Sequence, residues 1–220
     1  MSRLTDPSKI KAATTYNAAS DYFDDSACEF WSIYGRKTVE HLHLNLGDRV
    51  LDVACGTGAS AIPAAEIVGD RGQVIGVDIA DNLMALARKK AHKKNLSNIT
   101  FQWGDMTNLE FEEDSFDAVI CVFAIFFVKE MEEQISKLWR LVRTGGKLAI
   151  TTWGPNIFAP IYSIWNKDLQ QHRPDLFSAF NPWDRITTPE AAQKLLVDGG
   201  AKNVEVEAEN GFQKLENPED

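Results

Sequence analysis

The feature that most constrains the fold of this chain is a regular alternation of short apolar runs with helix-like stretches between residues 50 and 153. Most of the apolar runs have no polar face, which is typical of strands buried between two layers of helices. Strands that alternate with helices form parallel sheets with right-handed crossovers. The sequence therefore predicts an α/β fold with a doubly wound, mostly parallel sheet. The predicted strands are Val50–Ala54, Val74–Ile79, Ile99–Trp103, Phe116–Phe123 and Leu148–Trp153.

Helices are expected before, between and after these strands. A last helix begins at Thr188, because Pro189 then takes the first helical position, and it ends at Gly199. Val204–Ala208 predicts one more strand. The other predicted helices are Tyr16–Phe23, Phe30–Leu44, Ala59–Val68, Asn82–Lys94 and Met131–Val142.

Composition and charge exclude several classes of function. The formal net charge is −9 and the Lys and Arg residues form no large cluster, so no nucleic-acid partner is expected. The N-terminus lacks the pattern of a signal peptide, and the longest apolar stretch, 118–128, is too short to span a bilayer. Three scattered cysteines argue against disulfides and against a metal site, and they favour a cytoplasmic location.

Candidate binding residues follow the ends of three predicted strands. The first strand runs into a glycine-rich turn, Gly56-Thr57-Gly58, and such a turn lets a ligand approach the backbone closely. Asp52 precedes this turn, Asp78 ends the second strand, and Asp105 follows the third. Because the carboxyl ends of parallel strands share one edge of a sheet, we expect the three carboxylates to point into one crevice.

This arrangement suits a nucleoside that carries an amino group. Asp52 can face a ligand ammonium group, Asp78 can accept hydrogen bonds from both ribose hydroxyls, and Asp105 can accept one from an adenine amino group. An NAD(P)-dependent oxidoreductase is a less favoured alternative. It shares the glycine turn and Asp78, but it leaves Asp105 unexplained, and Asp52 would repel its pyrophosphate.

These residues resemble the class I S-adenosylmethionine-dependent methyltransferases, in particular the subgroup similar to ubiquinone/menaquinone-biosynthesis C-methyltransferases. The resemblance extends from about Tyr16 to Ala208. It implies a Rossmann-like methyltransferase fold, S-adenosyl-L-methionine as cofactor and S-adenosyl-L-homocysteine as product. The motifs that carry it are Val50 to Gly58, Gly76 to Ile79, Gly104 to Met106, Asp114 to Val119 and Leu141 to Leu148.

The resemblance also implies a role for individual residues. The backbone of the glycine turn would line the methionine part of the cofactor, Ile79 would pack on the adenine, and Met106 would offer a backbone contact beside it. Ala54 stands where glycine is commoner, and a slight adjustment is expected there. The cofactor-binding residues implied in this way are Asp52, Ala54, Cys55, Gly56, Gly58, Asp78, Ile79, Asp105, Met106, Val122 and Phe123.

The acceptor pocket is expected over the strand ends, between the N-terminal helices and the segment that follows the fifth strand. Its aromatic residues favour a small apolar or aromatic acceptor, methylated on carbon or oxygen. No catalytic base is assigned, because one is needed only if the acceptor loses a proton during attack. A non-catalytic cofactor-binding or regulatory paralogue is a further alternative. The candidate pocket residues are Tyr16, Phe30, Trp31, Phe126, Trp165 and His172.

A single domain is expected for a chain of 220 residues. The fold of this family normally closes with a hairpin whose last strand enters the sheet. Asn210-Gly211 is a good hairpin turn, but Phe212–Asp220 is a poor central strand, so we expect an early end to the sheet or an incomplete C-terminus. The expected parts are an N-terminal helical cap (1–45), a cofactor-binding core (46–153), a substrate-cap insertion (154–187), and a C-terminal helix and strand (188–220).

Overall fold

The computed structural model describes residues 4–212, and within them a five-stranded sheet is parallel at every pairing. The strand order is β3-β2-β1-β4-β5. After β3 the chain crosses back to form β4 beside β1, so the winding reverses there and leaves a crevice at the carboxyl ends of these two strands. The predicted fold class is confirmed. The strands are β1 (Arg49–Val53), β2 (Gln73–Asp78), β3 (Ile99–Trp103), β4 (Phe116–Val122) and β5 (Val142–Thr151).

Helices cover both faces of the sheet, and each face has its own apolar core. Val50 and Val74 belong to the core shared with α2, α3 and α4, whereas Leu51 and Val77 belong to the core shared with α5 and α7. No helix in the described part of the chain is long and apolar enough to cross a membrane. The helices are α1 (Pro7–Ala18), α2 (Phe30–Leu42), α3 (Ala61–Val68), α4 (Asp81–Lys93), α5 (Met131–Leu141), α6 (Ile161–His172) and α7 (Pro189–Asp198).

Helix α2 lies against the backbone that leads from β1 into α3. A β-carbon on Gly35 would lie 2.6 Å from the carbonyl carbon and oxygen of Ala59, far inside van der Waals contact. Glycine at this position therefore allows the close approach. The packing brings the first turn of α2, with Trp31, to the carboxyl edge of the sheet, where Trp31 contacts Phe123.

The N-terminal helix differs from its prediction. It spans Pro7–Ala18 rather than Tyr16–Phe23, and two short 3₁₀ helices, Ser20–Tyr22 and Ser26–Cys28, follow it before α2. Asp6 caps α1 by accepting a hydrogen bond from the Ser8 amide at 2.8 Å, and Pro7 takes the first helical position. These capping features outweigh the weak apolar periodicity on which the prediction was based.

Strand β5 begins earlier than predicted, at Val142 rather than Leu148. Phe116 pairs with Val142 and Ala118 pairs with Lys147, so residues 143–146 bulge out between the two pairings. The bulge contains Gly145 at positive φ and places a polar stretch inside the strand. The first half of β5 therefore has no apolar run from which a strand could be predicted.

The predicted strand Val204–Ala208 is wrong, because this segment is not paired with the sheet. It passes close to α2 instead, where Glu209 pairs with Lys37 and lies 3.3 Å from His41. A strand inside a parallel sheet needs two apolar faces, and glutamates alternate with the two valines here. Phe212 is exposed, and the rest of the predicted hairpin lies outside the described residues, so the expected early end or incomplete C-terminus stays a prediction.

The predicted start and end of the last helix are confirmed. The Thr188 hydroxyl accepts a hydrogen bond from the Ala191 amide at 3.2 Å, and Pro189 occupies the first helical position. The helix ends before Gly199. A β-carbon on Gly199 would lie 2.3 Å from the side chain of Ile135, so the end of α7 packs closely on α5.

Candidate functional site

Three alternate residues at and before the glycine turn after β1 have positive φ values. Ala54, Gly56 and Gly58 have φ values of 59°, 51° and 81°. A left-handed conformation costs a non-glycine residue about 1–2 kcal/mol, so Ala54 is strained where glycine would not be. The Cys55 thiol is buried, which raises its pKa well above the ordinary value and removes it as a nucleophile at neutral pH.

Asp78, at the end of β2, ties the glycine turn to the start of α4. Its Oδ2 accepts a hydrogen bond from the Gly56 amide and its Oδ1 accepts one from the Ala80 amide, both at 2.8 Å. Burial raises the pKa of Asp78 while these amides oppose the shift. Each oxygen keeps a lone pair for a ligand hydroxyl, since a carboxylate accepts about four hydrogen bonds.

Asp52 is fully buried behind the turn. Its Oδ2 accepts a hydrogen bond from the Ser60 hydroxyl at 2.7 Å, whereas its Oδ1 has no partner among the described residues. Burial raises the pKa of Asp52 to about 7, and the nearby Asp78 carboxylate adds to the shift. A buried oxygen without a partner is unfavourable, and a cationic donor would satisfy it.

Asp105 lies just after β3 and is held by two neighbours. Its Oδ1 accepts hydrogen bonds from the amide and hydroxyl of Thr107, at 2.9 and 3.0 Å. Its Oδ2 accepts one from Nζ of Lys9 at 2.7 Å. Burial raises the pKa of Asp105, but the bonds from Lys9 and Thr107 outweigh it and hold the pKa below its ordinary value.

The fold brings the three acids to one edge of the sheet, as predicted. Asp78 is paired with Trp103 across β2 and β3, and its carbonyl accepts a hydrogen bond from the Gly104 amide at 3.0 Å, directly before Asp105. Asp52 and Asp78 lie close enough for their charges to interact. Three other predicted residues stand at the same strand ends: Ile79 follows Asp78, Met106 follows Asp105, and Val122 ends β4.

A continuous aromatic cluster lies beside the glycine turn, over the ends of β1, β4 and β5. Phe123 and Trp153 stack with centroids 3.9 Å apart, and Trp31 contacts both. Phe123 has a φ of 52°, so the chain leaves β4 in a strained conformation at the centre of the cluster. The aromatic cluster comprises Tyr16, Phe23, Phe30, Trp31, Tyr34, Phe123, Phe126, Phe127, Trp153, Phe158 and Trp183.

Four of the predicted pocket residues, Tyr16, Phe30, Trp31 and Phe126, belong to this cluster. Trp153, a further member of the cluster, was not among the predicted pocket residues, although its position shortly after β5 could have indicated it.

Two predicted pocket residues do not join the cluster. Trp165 is 57% exposed on α6, and His172 is exposed and pairs with Asp168 on the same helix. The insertion packs at its two ends, through Phe158 and Trp183, while α6 buries none of its residues. The sequence cannot reveal that Trp165 and His172 are exposed. A residue on a helix has the same local sequence pattern whether or not another element covers that side of the helix.

Comparison with known proteins relates this site to a family. A family profile described as a methyltransferase domain matches residues 50–146. Aklanonic acid methyltransferase DauC from Streptomyces sp. (strain C5) is 31% identical over 187 residues, which cover 80% of this chain and 85% of that protein. Demethylmenaquinone methyltransferase from Oceanobacillus iheyensis is 33% identical over 113 residues, and this match covers 51% of the chain and 48% of the relative.

A solved structure supports the fold. The SAM-dependent methyltransferase from Aquifex aeolicus aligns over 90% of this chain and 89% of its own, with a TM-score of 0.61 and 20% identity.

The doubly wound sheet, with acids at three successive strand ends, defines a domain that binds a nucleoside cofactor. The long match to DauC identifies it further: the chain belongs to the S-adenosylmethionine-dependent methyltransferase family. The residues present fit this cofactor, because the unpartnered Oδ1 of Asp52 needs a donor such as an ammonium group and Asp78 keeps free lone pairs beside the turn. The match to the demethylmenaquinone relative spans about half of that protein.

Proposed function

We propose that this chain transfers a methyl group to a carbon or oxygen of a small, flat, aromatic acceptor that binds against the aromatic cluster. The observation that carries the proposal is the contact between the cluster and the glycine turn. A β-carbon added to Gly56 would lie 3.9 Å from the ring of Phe23, so this ring lies next to the glycine turn. The same ring stacks on Trp31. The names of the relatives give aklanonic acid and demethylmenaquinone as their acceptors, and both names support a small-molecule acceptor here.

The cofactor residues take the roles that their contacts favour. Asp78 holds the ribose hydroxyls, Asp105 receives the adenine amino group, and Asp52 faces the amino group of the methionine part. The backbone of Ala54 to Gly56 lines that part. When bound, S-adenosylmethionine supplies an electrophilic methyl group on its sulfonium sulfur. The protein then contributes mainly by placing the acceptor and excluding water, which is worth up to about 7–11 kcal/mol in favourable cases.

The described residues offer no evident general base at the cluster. All four histidines are exposed. Burial, with a smaller effect of Asp78, raises the pKa of Tyr16 to about 12, so this phenol stays protonated. An acceptor that has to lose a proton therefore does so without help from the histidines or Tyr16, and we expect it to ionise before it is methylated. The proposal favours acceptors that ionise in solution, such as acidic phenols, enols or carboxylic acids.

The first test is a pH profile. Purified protein is incubated with a set of hydroxylated naphthoquinones and aromatic acids of different acidity, and S-adenosylhomocysteine is quantified. S-adenosylmethionine is kept saturating at every pH, so that titration of Asp52 in the free protein does not enter kcat/KM for the acceptor. For each acceptor that is turned over, we expect kcat/KM to rise with pH and to level off at the pKa of the acceptor itself. A single midpoint shared by all acceptors would identify a base on the protein and contradict this part of the proposal.

The second test compares two tryptophans. Trp153→Leu removes a stacking face from the cluster and is expected to lower kcat/KM for the acceptor roughly fivefold to twentyfold. Its affinity for S-adenosylhomocysteine should fall less than kcat/KM does, because Trp153 reaches the implied cofactor residues only through its stacking on Phe123. Trp165→Leu is the matched control, because Trp165 is exposed on α6, and it should leave both quantities unchanged. Equal losses for the two variants would refute the acceptor site at the cluster.

A further inference from the structure

The N-terminal helix reaches the end of β3 through a single lysine. Nζ of Lys9 donates hydrogen bonds to Oδ2 of Asp105 at 2.7 Å and to the hydroxyl of Thr107 at 2.6 Å. The Lys9 side chain is 30% exposed and the Asp105 side chain 18% exposed, so the pair lies in the wall of a cleft rather than on the open surface. Both residues line that cleft, whose volume is about 410 Å³, together with Leu4, Trp103 and Phe111.

Helix α1 contacts the rest of the protein through hydrogen bonds near both of its ends and through the ring of Tyr16, which packs on Phe23 and Phe127. None of its residues is fully buried. At its C-terminal end, Asn17 accepts hydrogen bonds from the amide and side chain of Asn82 at 2.8 and 3.1 Å, and at its N-terminal end Lys9 makes the contacts with Asp105 and Thr107. The Lys9 side chain is long, flexible and 30% exposed. It can therefore leave Asp105 for solvent while α1 stays in place.

The carboxylate of Asp105 is nearly saturated in this arrangement. Its Oδ1 already accepts two hydrogen bonds from Thr107, and Lys9 takes one of the two acceptor positions of Oδ2. A ligand amino group that approaches Oδ2 meets the Lys9 ammonium, which is a stronger, charged donor.

We propose that Lys9 gates the adenine site: its ammonium occupies the Asp105 oxygen that receives the adenine amino group, so the ion pair and cofactor binding oppose each other. The proposal rests on the role given to Asp105 under the proposed function. Lys9 holds α1 over the cleft, and the entering adenine displaces the ammonium into solvent. Because partly exposed ion pairs are weak, the gate lowers cofactor affinity by no more than about fivefold.

Calorimetric titration with S-adenosylhomocysteine tests the gate. Lys9→Met is expected to tighten binding about twofold to fivefold relative to wild type. Lys11→Met is the matched control, since Lys11 is exposed on the same helix and the charge change is identical, and it should bind as wild type does. Unchanged or weaker binding by Lys9→Met would overturn the gate. Thermal unfolding of each variant without ligand verifies that both are folded.

A second pair of variants separates failure of the gate from failure of the site assignment. Asp105→Asn alone should weaken S-adenosylhomocysteine binding, and adding Lys9→Met to it should bring no further gain. If Asp105→Asn binds as wild type does, the role of Asp105 is wrong and the gate is overturned with it. If Asp105→Asn weakens binding but Lys9→Met still tightens it in that background, the role of Asp105 stands and the gate is overturned.

Discussion

Asp78→Ala is expected to lower the affinity for S-adenosylhomocysteine at least a hundredfold. The variant removes the acceptor of the Gly56 and Ala80 amides, so the glycine turn loses its tie to α4, and it also removes the proposed partner of the ribose hydroxyls. Hydrogen bonds to a charged group contribute about 1.5–3 kcal/mol each, and two of them correspond to roughly a hundredfold or more in affinity. Calorimetric titration measures the loss directly.

The control for this prediction is Asp70→Ala, which removes one carboxylate from the loop before β2, at the opposite end of that strand. It should bind S-adenosylhomocysteine as wild type does. Asp78→Asn keeps the size of the side chain, but its NH₂ group is a donor and cannot accept the hydrogen bond from one of the two backbone amides. An intermediate loss of affinity is therefore expected. Near-wild-type affinity in Asp78→Ala would show that cofactor binding does not depend on the Asp78 carboxylate.

Asp52→Asn is expected to make the folded protein more stable at pH 8 while weakening cofactor binding. The folded-state pKa of Asp52, about 7, lies above its ordinary value of 3.8. The folded state therefore holds a proton that the unfolded state releases, and the contribution of Asp52 to the free energy of unfolding falls as pH rises from about 4 to about 7. The shift corresponds to a loss of at most about 4 kcal/mol, which stays constant above pH 7.

Asparagine does not titrate, so the variant loses this pH dependence. Urea unfolding should show a gain of about 2–4 kcal/mol over wild type at pH 8 and a much smaller difference at pH 5, where Asp52 is still protonated in the folded wild type. The accompanying loss of affinity follows because the neutral amide cannot pair with an ammonium group as a carboxylate does. The same stability difference at both pH values would show that Asp52 does not carry the buried charge.

The positions of the three acids in the fold could be predicted from the sequence alone. β1 and β2 are short, apolar and followed by turn residues, and Asp52 and Asp78 stand at fixed positions relative to them. In a parallel sheet the strand ends share one edge, so the position of a residue along its strand determines the edge at which its side chain lies. The glycine turn and its acids follow from that rule.

Residues that act through distant parts of the chain were less predictable. The contact of Lys9 with Asp105 and the stacking of Phe123 on Trp153 join residues far apart in sequence, and neither has a local pattern. Trp165 shows the converse error, because an aromatic residue on a helix was assumed to face the pocket and is exposed. Burial of a side chain depends on which elements pack against it, and no local periodicity records that.

The sequence by itself determined the parallel sheet, the alternation of strands and helices along the chain, and the three acids at the strand ends. Each depends on short-range patterns, with a repeat of about two residues in strands and three to four in helices. Only the tertiary structure decided that α1 lies over the cleft, that β5 begins before its bulge, and that residues 203–212 stay outside the sheet. These outcomes depend on pairing register and on burial between segments that are far apart in sequence. No local pattern contains that information, because it depends on which elements pack together.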